Sequence, residues 1–181
     1  LQKYVSKALN LKPNDQNLMN LQGKLYEESG NYAEALKIYK SLFSKNPTSL
    51  TYAKHIALNN YNLGVLFTNK ASLENDRRIA SQYDNQALLY FETAIPVIKD
   101  VLSAEPAALQ YHQALAVAYQ MTGREKDFDA ENQKISNLGG RSLSSDAMPS
   151  LMAFSPSKSS VPGNISDKPD LSTDNIPLYS Q

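Results

Sequence analysis

The stretch Ala35-Leu36-Lys37-Ile38-Tyr39-Lys40-Ser41-Leu42-Phe43 ends four residues before Pro47. Set beneath it without a gap, Ala94-Ile95-Pro96-Val97-Ile98-Lys99-Asp100-Val101-Leu102 ends four before Pro106. The match reaches further out. Pro13 and Pro47 are 34 residues apart, Gly30 and Gly123 each follow a proline by 17, and Tyr26 and Tyr119 each follow one by 13. A fixed period in the range of 20–50 residues marks a stack of similar units. Such stacks bury their apolar faces against neighbouring units and usually act by presenting a surface.

Working outward from these anchors, residues 1–12 read as the second helix of a hairpin whose first helix is missing from the chain. Pro13-Asn14-Asp15 breaks it and offers a capping side chain. A helix over about 16–29 carries Leu18, Leu21, Leu25 and Tyr26 at helical spacing, and Gly30-Asn31 ends it. A second, over 32–45, aligns Tyr32, Ala35, Leu36, Tyr39, Leu42 and Phe43, after which Pro47-Thr48-Ser49 repeats the stop-and-cap arrangement.

The unit from Pro47 to Pro106 spans 59 residues, 25 more than the period. Twenty-five residues is close to seven helical turns, so two lengthened helices absorb it without losing phase. The spacing predicts one over 49–71 and one over 75–104, the latter kinked at Pro96, where a helical hydrogen bond is lost. Two shorter helices meeting near 94–96 are the alternative. The last unit has helices over 108–122 and 124–138. In the second of these Asn132 and Gln133 interrupt the apolar pattern of Phe128, Ile135 and Leu138, as suits a terminal unit that meets water.

From Gly139 the composition shifts. The last 43 residues hold eleven serines, five of the nine prolines and no glutamate. The expectation is a disordered or extended tail, too poor in apolar area to offset the entropy of ordering. Two apolar islands interrupt it, 148–154 and 176–179. The expected organisation is a helical domain over 1–138, made of a partial hairpin (1–12), a repeat (14–47), an elongated repeat (48–106) and a terminal repeat (107–138), followed by a tail over 139–181. The fold class is all-α: an α-solenoid of antiparallel hairpins with a disordered C-terminal tail.

Composition narrows the functions. Lysine plus arginine and aspartate plus glutamate number 18 each, so the net charge is zero. That argues against binding nucleic acid or anionic lipid by a broad basic face. Cysteine is absent, which excludes disulfides and thiolate metal sites and leaves the compartment open. No apolar run approaches the length of a membrane span.

The whole pattern resembles the tetratricopeptide repeat (TPR). Tyr61-Asn62-Leu63-Gly64 followed by Phe67 is the closest match to that family's signature. Gly23, Tyr26, Gly30, Ala35, Tyr39 and Pro47 fit in the first full unit, and Ala116, Tyr119 and Gly123 in the last, where Phe128 stands in place of the usual alanine. The resemblance covers about residues 1–138. Glycine inside a helix costs about 1 kcal/mol relative to alanine, so Gly23 and Gly64 imply a close approach between helix backbones.

The resemblance implies a concave groove lined by the first helix of each hairpin, holding an extended peptide. Its lining would be Asn17, Asn20, Lys24 and Glu27 from the first unit, Tyr61, Asn62, Val65 and Asn69 from the second, and Gln110, Gln113, Val117 and Gln120 from the third. The list is rich in amides, which pair with peptide backbone whatever the ligand sequence. Lys24 alone does not make the basic clamp that such repeats use for C-terminal carboxylates.

No catalytic residue, metal ligand or cofactor is expected. His55 and His112, the only histidines, have no metal-ligand neighbour at helical spacing and read as helix-face residues. Glu27-Glu28 reads as an acidic pair at a helix end, and Arg77-Arg78 as solvated. The expected role is a protein–protein interaction module, adaptor or scaffold, whose partner is a protein or peptide, with neither nucleic acid nor a membrane span involved. The alternatives are a subunit that assembles with itself or a larger complex through the long middle hairpin, which leaves a homo-oligomer open, and an accessory domain of a longer enzyme. The tail is a further candidate ligand for the groove, through the island at Leu151 and Phe154.

Overall fold

The structure, a computed structural model, describes residues 1–144. They form seven α-helices: α1 (Gln2–Leu11), α2 (Gln16–Glu28), α3 (Tyr32–Lys45), α4 (Leu50–Leu73), α5 (Arg77–Ala104), α6 (Leu109–Met121) and α7 (Glu125–Asn137). There is no strand among the described residues. The islands at 148–154 and 176–179, like most of the tail, lie outside them.

Three helix starts, those of α2, α4 and α5, carry a side chain that satisfies orphan backbone donors. Asp15 accepts from the amides of Asn17 (3.0 Å) and Leu18 (3.1 Å). Ser49 accepts from Tyr52 (3.3 Å), and Asp76 from Arg78 (2.8 Å) and Ile79 (3.3 Å). Helix ends share one device. Gly30, Gly123 and Gly139 take φ of 73°, 70° and 78°, a region that side-chain-bearing residues avoid. The next residue then donates back to the last turn: Asn31 to Tyr26 O (2.8 Å), Arg124 to Tyr119 O (2.9 Å) and Gly140 to Ile135 O (2.9 Å).

Helix α5 runs unbroken through Pro96, which excludes two shorter helices there. Proline leaves the carbonyl of Glu92 without its helical donor, and both residues are exposed, so that carbonyl is on the solvent side.

Each helix packs on the next in the chain, and the tightest pairing is α4 with α5. Two glycines fix the fit. An added Cβ at Gly23 would lie 2.8 Å from the ring of Tyr39, and one at Gly64 would lie 2.7 Å from the ring of Phe91. The close approach expected at these glycines is therefore ring against backbone. One core cluster centres on Tyr61, Phe91, Ile98, Tyr111 and Ile135, the other on Leu36, Tyr39, Leu42 and Leu63. Phe67 and Val97 border both.

The register of the long hairpin places its tip. Lys54 meets Glu105 at 2.5 Å near the base, Gly64 lies against Phe91, and Phe67 stacks on Tyr90 with centroids 5.6 Å apart. Arg124, in the α6–α7 turn, reaches Glu92 at 2.6 Å. The first fifteen residues of α5 and the last nine of α4 therefore extend past that turn, by about 22 and about 14 Å at 1.5 Å per residue.

Candidate interaction surface

Helix α4 is the centre of the molecule. Every residue from His55 to Val65 is buried, so the helix is covered on all faces for three turns. Its polar residues survive there by bonding inward. Asn60 Nδ2 donates to Ile56 O (2.9 Å) and Thr68 Oγ1 to Gly64 O (3.0 Å), one turn back along the same helix.

The remaining polar contacts form a seam between α2 and α4. His55 Nδ1 lies 2.9 and 3.0 Å from the two carboxylate oxygens of Glu27. Asn59 Nδ2 donates to Glu27 and to His55 O (2.8 Å). The ring of Tyr39 stacks flat on His55, centroids 4.0 Å apart. Burial raises the Tyr39 hydroxyl above the ordinary phenol range, and the Glu27 carboxylate adds to that shift. Burial likewise raises Tyr111 on α6, with the negative charges of Glu105 and Glu27 adding. Asn59 Oδ1 and the Tyr111 hydroxyl accept no hydrogen bond from the protein.

A second seam joins α6 to α7. His112 Nδ1 pairs with Glu131, and its Nε2 lies 2.8 Å from Pro106 O. Lys134 Nζ meets the other Glu131 oxygen at 2.9 Å.

The two histidines lie on buried helix faces, each 5% exposed, and Glu27, expected in the groove and as one of an acidic pair at a helix end, is an internal fastener whose side chain is 11% exposed. No local signal announced this. Glu27 and His55 are 28 residues apart, His112 and Glu131 19.

The twelve groove residues divide. Tyr61 (1% exposed), Asn62 (2%), Val65 (4%) and Val117 (4%) are inside the protein, where a ligand laid on the surface does not touch them. Asn20, Glu27, Gln110, Gln113 and Gln120 are half-buried, and Asn17, Lys24 and Asn69 are exposed. The structure therefore brings an amide edge to the surface from α2 and α6, while the middle of α4 contributes none.

Large exposed apolar side chains stand at the α1 end, at Leu1, Tyr4 and Leu11, and on the long hairpin. On the hairpin, Leu73 (82%) ends α4 at the tip, and Leu88 (41%) and Leu89 (58%) face solvent about one turn beyond Glu92. Lys70 sits over the rings of Phe67 and Tyr83, at 5.2 and 5.9 Å. A shallow recess of about 490 Å³ lies one turn up α5, lined by Glu92, Ile95, Pro96, Lys99, Asp100 and Arg124.

Among the described residues no three histidine or acidic side chains are grouped to hold a metal ion, and no helix is long and apolar enough to cross a membrane. Fold and site together define an all-helical protein whose packing is compatible with a helical repeat. Comparison with family models, curated proteins and solved structures finds no match for the chain.

Proposed function

We propose that this chain is a TPR-like helical repeat that acts as a protein-interaction module, meeting its partner with the tip of the α4–α5 hairpin. One observation carries the reading: the tip stands clear of the α6–α7 turn with Leu73, Leu88 and Leu89 in solvent. Leucines held on a rigid two-helix projection present apolar area at little entropic cost, which favours a partner with an apolar face. Ring-on-glycine packing at Gly23–Tyr39 and again at Gly64–Phe91 supports the repeat.

The second reading is the groove. The accessible amides Asn17, Gln110 and Gln113, with Lys24 beside Asn17 on α2, favour an extended peptide. Affinity capture with the full chain separates the two. Loss of a captured partner in Leu88→Asp/Leu89→Asp, with retention in Asn17→Ala/Gln113→Ala, supports the tip. The reverse supports the groove. No protein enriched over an unrelated bait contradicts an interaction role.

A further inference from the structure

The sequence past α7 does not simply leave the domain. Gly139 turns the chain, and residues 140–143 run back along α7. Gly140 enters a crevice so narrow that an added Cβ would lie 2.6 Å from Leu109 Cδ1 and 2.8 Å from Ile135 Cγ2. Ser142 Oγ meets Ser136 Oγ at 2.5 Å. Asn132 then takes both backbone groups of Leu143: its Oδ1 accepts from the Leu143 amide at 2.8 Å, and its Nδ2 donates to the Leu143 carbonyl at 2.9 Å. The Leu143 side chain is half-buried against the larger core cluster.

A side-chain amide carries a donor group and an acceptor group side by side, which match the two backbone groups of a single residue in an extended chain. That recognition is independent of sequence. Selectivity comes from the rest of the crevice, where Ile135 and Leu109 leave room for a glycine and the core edge accepts an apolar side chain three residues on. Asn132, a break in the apolar pattern of α7, is explained by this contact.

We propose that the α6–α7 edge is a binding site for an extended, leucine-bearing peptide segment, and that residues 140–143 are its tethered occupant. A partner segment of the same kind enters by displacing them. A short tether holds its own segment at an effective concentration of about millimolar, so a free competitor of equal affinity must reach that level. The site is separate from the hairpin tip and does not depend on the function proposed above.

The probe is the acetylated and amidated peptide Gly-Arg-Ser-Leu-Ser, titrated to about 10 mM into isotope-labelled full chain, well above the tethered level. Leu143→Asp empties the apolar contact while leaving Asn132 in place. The Asn132 side-chain resonances of that variant are expected to shift with peptide, and the peptide-induced shifts at Ser136 and Ile135 are expected to vanish in Asn132→Ala/Leu143→Asp. Equal responses in the two variants, or none in either, overturn the proposal. Hydrogen exchange on the wild type serves if Leu143→Asp does not fold. The Leu143 amide is expected to exchange at least about tenfold slower than an open chain and to lose that protection in Asn132→Ala. An unprotected Leu143 amide also overturns the proposal.

Discussion

His55 Nδ1 bonds both carboxylate oxygens of Glu27, at 2.9 and 3.0 Å, and so fastens helix α4 to helix α2. The contact is close to dry, with side-chain exposures of 6% and 11%. Breaking one partner leaves the other buried and unpaired, which costs more than the bond itself contributes. Glu27→Ala is therefore expected to destabilise the protein by about 2–4 kcal/mol, because Asn59 loses its acceptor as well. Adding His55→Ala should cost little more. Chemical denaturation of both single variants and the double checks this, since strictly additive losses would mean the pair is not coupled.

Gly64 exists to admit a ring. Leucine there places a Cβ 2.7 Å from Phe91, and overpacking of this kind costs about 1–3 kcal/mol, enough to lower Tm by several degrees. The cause is tested by shrinking the other side. Gly64→Ala is expected to be less damaging in a Phe91→Leu background than in the wild type. An equal loss in both backgrounds would show that the glycine answers to something other than the ring.

Alkaline pH should unfold the protein through its tyrosines. Burial raises Tyr39, Tyr61 and Tyr111 above the phenol range, with carboxylates adding at Tyr39 and Tyr111. In the unfolded chain each loses its proton near pH 10, and in the fold each keeps it. Above about pH 10 the unfolded state thus binds fewer protons, and stability falls as pH rises. Below that pH the contribution is fully present and flat. Tyrosinate absorbance should show Tyr39, Tyr61 and Tyr111 titrating only together with loss of helical circular dichroism. A single smooth titration of all eleven tyrosines at constant helicity would refute this.

Arg124 and Glu92 locate the hairpin tip but should hardly stabilise it. Their side chains are 41% and 46% exposed, and exposed ion pairs contribute about 0–1 kcal/mol. Arg124→Ala is expected to leave Tm within about 2 °C of the wild type at 0.15 M salt. A larger fall would mean that the turn itself braces the long hairpin.

Much of the fold was legible because its signals are local. Proline stops, Asp15 and Ser49 caps, and Gly30 and Gly123 turns act within a few residues, and all seven helices begin and end within two residues of expectation. The long α5 was legible too, because Ala87, Phe91, Ala94, Ile98 and Leu102 keep one buried stripe across Pro96. What stayed hidden depends on residues far apart. Nothing near Glu27 indicates that it meets His55, and nothing near Asn62 indicates that neighbouring helices cover it. Amphipathic spacing identifies a buried face, but whether a second face is also covered depends on how the neighbouring helices pack. Asn132 reads in the sequence as a break that suits a water-facing terminal unit, and its partner, Leu143, lies eleven residues away.

The claim that the hairpin tip is the interaction surface is tested most directly by hydrogen–deuterium exchange on the full chain with and without its captured partner. The account predicts slowed exchange over residues 66–90, centred on Leu73, Leu88 and Leu89, with α2 and α6 unchanged. Protection confined to Asn17–Lys24 and Gln110–Gln120, with residues 66–90 exchanging as in the free protein, would contradict it.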